Sequence, residues 1–487
     1  ALDAGPTGAA EVSGILDVSS TEARGGRVSV EAEQIVLRET ARVDASGALG
    51  GGSVQIGGGL QGNDPAVRNA TETNVAEGSE LRADAIASGD GGEVIVWADG
   101  TTRYEGAITA RGGAAGGDGG FAEVSGKQVL DFRGTADLTA PVGTTGTLLL
   151  DPLNVTISSA PNQNSVESGT DPITVDPNSS PSVINVGTLG TALGSANVII
   201  TTGSTGSEEG DITVADPVQW FGTNSLTLEA ADDILINATL RAVDGDITLT
   251  ADADNSVSGD ETGQVLLGNS AEVILDSASS SLVVTAHGDI SDGSGATEGA
   301  FRAQGTSSFT SSSGSLLLDS ASNDFGGSIT KVAGSTGTIS LVSVSAIDLG
   351  TVSAGSGGIT VAPTAGSITQ SGTFASTGPI TLSTAGAASI VLPDLVGDFT
   401  FAGVTAGGAI TLGNATDTGT LTFDSDGGSV INGVGPAASV ASGTVTVLAD
   451  AIVLNDPITT EGGPVNLTAD TGAITSASGA DITTTGA

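Results

Sequence analysis

Among 487 residues there is one histidine, His287, with no cysteine and no methionine. Zinc sites built on Cys and His, and Ser-His-Asp catalysis, therefore lack their parts, and disulfides and thiol chemistry are excluded. His287, in Val284-Thr285-Ala286-His287-Gly288-Asp289, reads as a turn residue. The remaining chemistry belongs to carboxylates. Asp252, Asp254, Asn255 and Asp260 fall in one loop, and hard oxygen ligands suit Ca²⁺. The candidate calcium ligands are Asp252, Asp254 and Asp260, against the plainer reading of solvated turn acids. Gly116-Gly117-Asp118-Gly119-Gly120 loosely matches a nonapeptide calcium repeat but occurs once. Paired carboxylates also run glycoside hydrolysis. Basic residues are sparse after Asp151, however, and no acid cluster joined to a base and aromatics is visible along the chain. The chain is read as non-enzymatic, with no catalytic and no cofactor-binding residue assigned. The rare large aromatics, Trp97, Tyr104 and Trp220-Phe221, are expected to plug core layers or cap turns of the fold, with a carbohydrate contact as the alternative.

Charge narrows the partners further. Against 56 Asp and Glu stand 13 Lys and Arg, for a formal net charge of −43. A nucleic-acid binder must neutralise phosphates, so that class is excluded, and anionic membranes are disfavoured. No apolar run approaches a membrane span. Neither a signal peptide nor an initial Met is present, and the chain is expected to be a processed or partial piece of something longer.

The elements that must position these residues are short and repeated. A phrase of glycine, small residue, branched apolar residue, threonine and apolar residue occurs as Gly245-Asp246-Ile247-Thr248-Leu249, Gly357-Gly358-Ile359-Thr360-Val361, Gly378-Pro379-Ile380-Thr381-Leu382 and Gly408-Ala409-Ile410-Thr411-Leu412. Alternation in Ile247-Thr248-Leu249-Thr250 puts Ile and Leu on one face of a strand and Thr on the other. Steps of 20 and 21 residues separate Ile339, Ile359 and Ile380, and steps of 18 run through Val265 to Val283. An interval near 20 fits one coil of a parallel β-helix, three short strands and three turns. Ile212 to Ile247 spans 35 and Ile380 to Ile410 spans 30, so some coils carry inserts or the phrase lands on more than one side. Val, Ile, Leu and Ala suit a narrow, layered core, and aromatics are only 3%.

Three regions follow. Residues 1–150 use paired glycines, Gly25-Gly26, Gly51-Gly52, Gly91-Gly92 and Gly119-Gly120, to open strands, which the positive φ open to glycine explains. The long insert from Gly57 to Thr73 should protrude as a loop. Residues 151–205, with five of the fifteen prolines between Pro152 and Pro181, read as an irregular connection or elaborated coils. Residues 206–487 carry the degenerate short repeats.

The first third resembles the filamentous-haemagglutinin-like exoproteins of bacterial two-partner secretion. The matching residues are Ala41-Arg42-Val43-Asp44-Ala45-Ser46-Gly47, Gly50-Gly51-Gly52-Ser53-Val54-Gln55-Ile56-Gly57-Gly58, Gly89-Asp90-Gly91-Gly92-Glu93-Val94-Ile95-Val96-Trp97-Ala98-Asp99, Gly117-Asp118-Gly119-Gly120-Phe121-Ala122-Glu123-Val124-Ser125-Gly126-Lys127 and Gly146-Thr147-Leu148-Leu149-Leu150-Asp151-Pro152, in order across about residues 20 to 157. The resemblance implies a right-handed parallel β-helix, export through an outer-membrane partner pore of a Gram-negative-type bacterium, and roles in adhesion or surface filaments. The family's amino-terminal secretion module is not seen in this sequence.

The expectation is an all-β chain, a right-handed parallel β-helical solenoid with loop insertions. It would serve as a secreted or cell-surface structural protein, an adhesin or filament subunit associating end to end, with a cell-surface or carbohydrate receptor. The alternatives are a polysaccharide-active β-helical lyase or hydrolase and a calcium-dependent carbohydrate-binding module.

Overall fold

The computed structural model describes residues 1–161, 167–168, 174–175, 182–203, 209–253, 263–294, 297–385, 388–395, 400–406, 410–417, 421–432, 439–441, 445–454, 458–460, 464–469, 472–478 and 481–484. The chain forms two compact units, Ala1–Ser258 and Gly259–Ala487. Each is a parallel β-helix of stacked short strands.

In the first unit each coil contributes one strand to each of three sheets. One sheet stacks Arg27–Glu31, Ser53–Ile56, Glu93–Ala98, Phe121–Gly126 and Thr147–Asp151, all parallel. The second runs Ala9–Val12, Gln34–Leu37, Glu72–Val75, Thr101–Tyr104, Val129–Phe132. The third runs Ile15–Asp17, Arg42–Asp44, Glu80–Arg82, Ala107–Thr109, Thr135–Asp137. Inward residues stay in register from coil to coil. Val28, Val54, Val94, Ala122, Leu148 and Val198 form one file, and from Val54 onward each member is fully buried. Such files give the apolar burial that stabilises a solenoid between neighbours.

Coil length departs from the expected period. Val28 pairs with Val54, 26 positions on, and Val94 with Ala122, 28 positions on, so the first unit holds fewer coils than a period of 20 gives. The Ile212-to-Ile247 interval resolves into two files, Ile212 with Ile234 and Leu226 with Ile247, because the phrase lands on two sides of the coil.

The paired glycines are needed for a reason other than positive φ. Gly26, Gly52, Gly92, Gly120 and Gly146 stack at one corner. A Cβ on Gly52, Gly92, Gly120 or Gly146 would come 2.0, 2.1, 2.2 or 2.0 Å from the carbonyl oxygen of the glycine one coil below. Those carbonyls accept the next coil's first strand N–H, as Gly52 O does from Glu93 at 3.0 Å and Gly92 O from Phe121 at 3.0 Å. The left-handed backbone belongs to the residues just before the pairs, Gly50, Gly89 and Gly117, at φ 136°, 93° and 124°.

The insert after Ile56 does not protrude. It folds back over the outer face of the first sheet, with Val67 and Ala70 buried. Gly58 and Gly62 lie so close to the Trp97 ring that a Cβ on either would fall 2.7 or 2.6 Å from ring atoms. In the 151–205 stretch, Val155–Ser158 pairs in parallel with both Ser182–Asn185 and Ile212–Val214. There the coil is elaborated by an α-helix, Val186–Leu193, which nothing in the strand-like phrasing anticipates. Asn185 caps it, its side chain accepting the Gly187 N–H at 2.8 Å, and Leu189, Ala192 and Leu193 bury one face.

The second unit shows the simpler alternation. Ser281–Ala286, Thr306–Ser311 and Thr338–Ser343 bury every second residue. Ile339, Ile359 and Ile380 are direct register partners, as the 20- and 21-residue steps require. Val265 and Val283 are not partners: Val265 pairs with Ile290, and Val283 points outward, between the buried Leu282 and Val284. Ile410 pairs with Ile390. Among the described residues no helix is long and apolar enough to cross a membrane.

Candidate functional site

The outer face of the first unit's main sheet carries the groups with chemical capacity. In Glu93–Ala98, the residues Val94, Val96 and Ala98 point inward at 0% exposure, so Glu93, Ile95 and Trp97 point outward. Register carries the outward position from Trp97 to Ser125 to Asp151, and on the later coils from Thr201 to Glu229. Beside this file lies a cleft of about 500 Å³ lined by Asn69, Trp97, Asp99, Lys127, Asp151, Thr201 and Glu229.

Within the cleft, Asp99 accepts hydrogen bonds from Trp97 Nε1 and from Asn69 Nδ2, both at 3.0 Å. Burial pushes the Asp151 carboxyl above its ordinary range, against the opposing pull of the Thr201 hydroxyl and the Lys127 ammonium. Burial raises Glu229 as well. Carboxyls in a cleft accept hydrogen bonds from hydroxyl-rich ligands. These groups come from strands 26 and 28 positions apart, which is why no local cluster shows them: Trp97 pairs with Ser125, Ser125 with Asp151, and Thr201 with Glu229.

Glu123 lies on the same outward face and is fully buried under the insert. Both its oxygens accept the Gln61 backbone N–H, at 3.1 and 3.0 Å. Burial pushes Glu123 up to about 7, with Asp151 and Glu93 adding to the rise and the Gln61 N–H opposing it. Gln61 has φ 50°, a left-handed conformation uncommon for a residue with a side chain, so this bond holds the tip of the insert in place.

A second buried carboxylate, Asp84, acts as a hub between coils. Arg111 grips it with Nε at 3.2 Å and Nη2 at 2.9 Å, its backbone N–H adds a bond at 2.9 Å, and Thr109 Oγ1 donates at 3.0 Å. Burial pushes the Asp84 carboxyl up, but the Arg111 contacts outweigh it and the net shift is downward.

The calcium candidates separate. Asp252 is described, in a left-handed turn at φ 58° with its N–H donating to Asp232 O at 3.2 Å. Asp254, Asn255 and Asp260 lie outside the described residues. A different group of acids meets instead: Asp211, Asp232 and Asp233 each bring a carboxylate oxygen to within 4.8 Å of the others. Pairing of Ile212 with Ile234 places Asp211 beside Asp233, whose N–H donates to Asp211 Oδ1 at 3.2 Å. Three half-buried carboxylates at this spacing have the donor set a hard dication takes. The signal in the sequence is an acid directly before the branched residue of two phrases 22 positions apart.

Three of the large aromatics, Trp97, Tyr104 and Trp220, are buried. Tyr104 is fully buried and stacks on Phe132 with centroids 5.9 Å apart, and Trp220 is buried with Nε1 donating to Asn224 O at 2.8 Å. Trp97 is only 3% exposed, while Phe221 stands out at 71%. His287 sits in a turn, its carbonyl accepting the Ser313 N–H at 2.9 Å and its Nδ1 lying 3.0 Å from Ser312 Oγ.

No curated protein matches the chain. Two segments of the second unit, residues 262–331 and 336–406, match a family model described as repeats of unknown function (DUF5649).

Proposed function

We propose that this chain is part of a secreted bacterial surface protein, an adhesin or filament subunit, that acts through the sides of its β-helical coils without catalysis. The observation carrying this reading is the use made of its polar groups. Arg111 with Asp84, Gln61 with Glu123, and Asn69 with Asp99 all tie one coil or insert to another. Asp84 and Glu123 are buried, and carboxylates bonded in this way hold surfaces rigid; they do not form a mobile reacting centre. The strongly acidic composition and the resemblance of residues 20 to 157 to two-partner-secretion exoproteins support the same reading, with export through an outer-membrane partner pore. Protease treatment of intact producing cells tests it: the protein should be digested or released while cytoplasmic proteins stay whole.

A second reading has its own support. The cleft that joins Trp97, Asp99, Lys127, Asp151 and Glu229 is the kind of acid, base and aromatic groove a saccharide-binding or saccharide-cleaving β-helix needs. Binding of the purified chain to an array of acidic and neutral polysaccharides, followed by assay of any bound polymer for chain shortening, separates adhesion from cleavage.

A further inference from the structure

The cleft beside the Trp97 file is built from successive coils, and its charged groups alternate along them. Asp99 follows Ala98 on the first of these coils, and Lys127 follows Gly126, the register partner of Ala98, on the next. Asp151 ends the strand of the third coil, Thr201 ends that of the fourth, and Glu229 lies on the fifth. All of them line the same space of about 500 Å³. An acid therefore stands on every second coil, with an ammonium and a hydroxyl on the coils between. Neighbouring coils lie about 4.8 Å apart, so the acids recur at about 10 Å along the stack.

This wall is short of donors. Both hydrogen bonds to Asp99, from Trp97 Nε1 and Asn69 Nδ2, end on the same oxygen, Oδ1. Among the described residues Asp151 and Glu229 form no ion pair, and none joins Lys127 to any of the three acids. Asn69 Oδ1 is buried without a hydrogen-bond partner, a state that folded proteins avoid unless a bound group supplies one. The charged donor is Lys127, whose ammonium donates three bonds and accepts none. Trp97 offers no stacking platform, because it is 3% exposed and Gly58 and Gly62 press on its ring.

We propose that this cleft takes an extended amino-sugar polymer with free amines, laid along the stack so that its ammonium groups meet the acids of alternate coils and its hydroxyls accept from Lys127. The proposal rests on the saccharide reading of the same cleft and names the class of sugar. Three carboxylates face one ammonium, so a uronic-acid polymer is repelled, and the net charge of −43 adds to that repulsion at long range. A neutral sugar brings hydroxyls but no charge for Asp151 and Glu229, which burial has already deprived of water. An ammonium restores charge-assisted bonds to both. A plain polyamine would satisfy the acids but offers no acceptor to Lys127, and the hydroxyls of an amino sugar do. In an extended 1,4-linked chain, equivalent groups return to the same side at every second sugar, so alternate amines face the coils.

Isothermal titration calorimetry on the full chain tests this, at a pH where the amines are protonated. The probes are 1,4-linked glucosamine oligomers, their N-acetylated forms, glucose oligomers of equal length and oligolysine of equal charge. Glucosamine oligomers should bind at least about tenfold tighter than the N-acetylated and glucose oligomers. Asp151→Asn and Glu229→Gln should each weaken that binding about tenfold, while Glu77→Gln, at an exposed acid outside the cleft, should leave it unchanged. Equal binding of glucosamine and N-acetylated oligomers, lost in both cleft variants, overturns the amine preference and leaves the saccharide reading standing. Oligolysine binding as tightly as glucosamine, with neither cleft variant weakening either, marks diffuse attraction to an acidic chain and overturns the proposal. No binding of any sugar overturns both readings. Should Asp151→Asn fail to fold, Glu229→Gln, at a half-buried position, decides alone.

Discussion

The backbone N–H of Gln61 donates to both carboxylate oxygens of Glu123, at 3.1 and 3.0 Å, across 62 residues of sequence. That bond turns an insert into a cover for the outer face of the sheet and buries an acid beneath it. The energetic sign is set by the acid, whose folded-state pKa is about 7 against an ordinary 4.5.

Glu123 therefore holds a proton in the folded chain that the unfolded chain has already released, between pH 4.5 and about 7. Stability of the first unit falls as pH rises through this window and levels off above it. Glu123→Gln keeps an acceptor for Gln61 and removes the titration. The variant should match the parent near pH 4.5 and exceed it at pH 8, by up to about 3 kcal/mol in urea unfolding. A variant less stable than the parent at pH 8 contradicts the assignment.

Asp84 carries the opposite sign. Its pKa is held below 3.8, so its contribution is present above that value and lost as pH falls through the lowered one. Asp84→Ala should cost about 1–3 kcal/mol at pH 7, discounted because the Arg111 side chain is 43% exposed. The loss should shrink as pH falls below 3.8, because the parent itself loses this contribution on protonation of Asp84. Denaturant unfolding at pH 7 and along an acid series checks it.

The glycine column gives a steric prediction. In Gly92→Ala the new methyl would stand 2.1 Å from Gly52 O, so neighbouring coils must separate. A loss above about 2 kcal/mol is expected. Gly14→Ala, with open space around its Cβ position, should change stability by less than about 0.5 kcal/mol. Equal effects at the two sites would remove the close-approach explanation for the paired glycines.

The cleft gives a binding prediction. If a saccharide contacts the file from Trp97 to Glu229, Glu229→Gln should weaken polysaccharide binding at least about tenfold, the loss of one charge-assisted hydrogen bond. Thermal melting should move little, because Glu229 is half-buried and lies at the rim of the cleft. Surface plasmon resonance on immobilised polymer reads this, and unchanged affinity removes the cleft from the binding surface.

What was legible in the sequence followed from strand parity and local spacing. Ile247, Leu249 and the Ile339–Ile359–Ile380 file sit where alternation and a 20-residue step put them. Lys331 was legible by the same rule, since Ile329 fixes the inward parity two positions earlier, but a charge invites an outward reading. The Gly57–Thr73 insert defeated local reasoning because what holds it, Glu123 and Trp97, lies one or two coils further along the stack. The cleft was hidden for a related reason: its acids and its lysine gather only once coils of 26 and 28 residues are stacked.

The proposed function requires this stacked chain to stand outside the cell as a scaffold for contact. Immunogold labelling of intact producing cells, with the same antibody on ruptured cells as a reference, measures that directly. Dense label on the outer surface or on material shed from it, equal before and after rupture, is the predicted result. Label that appears only once the cells are broken would contradict it.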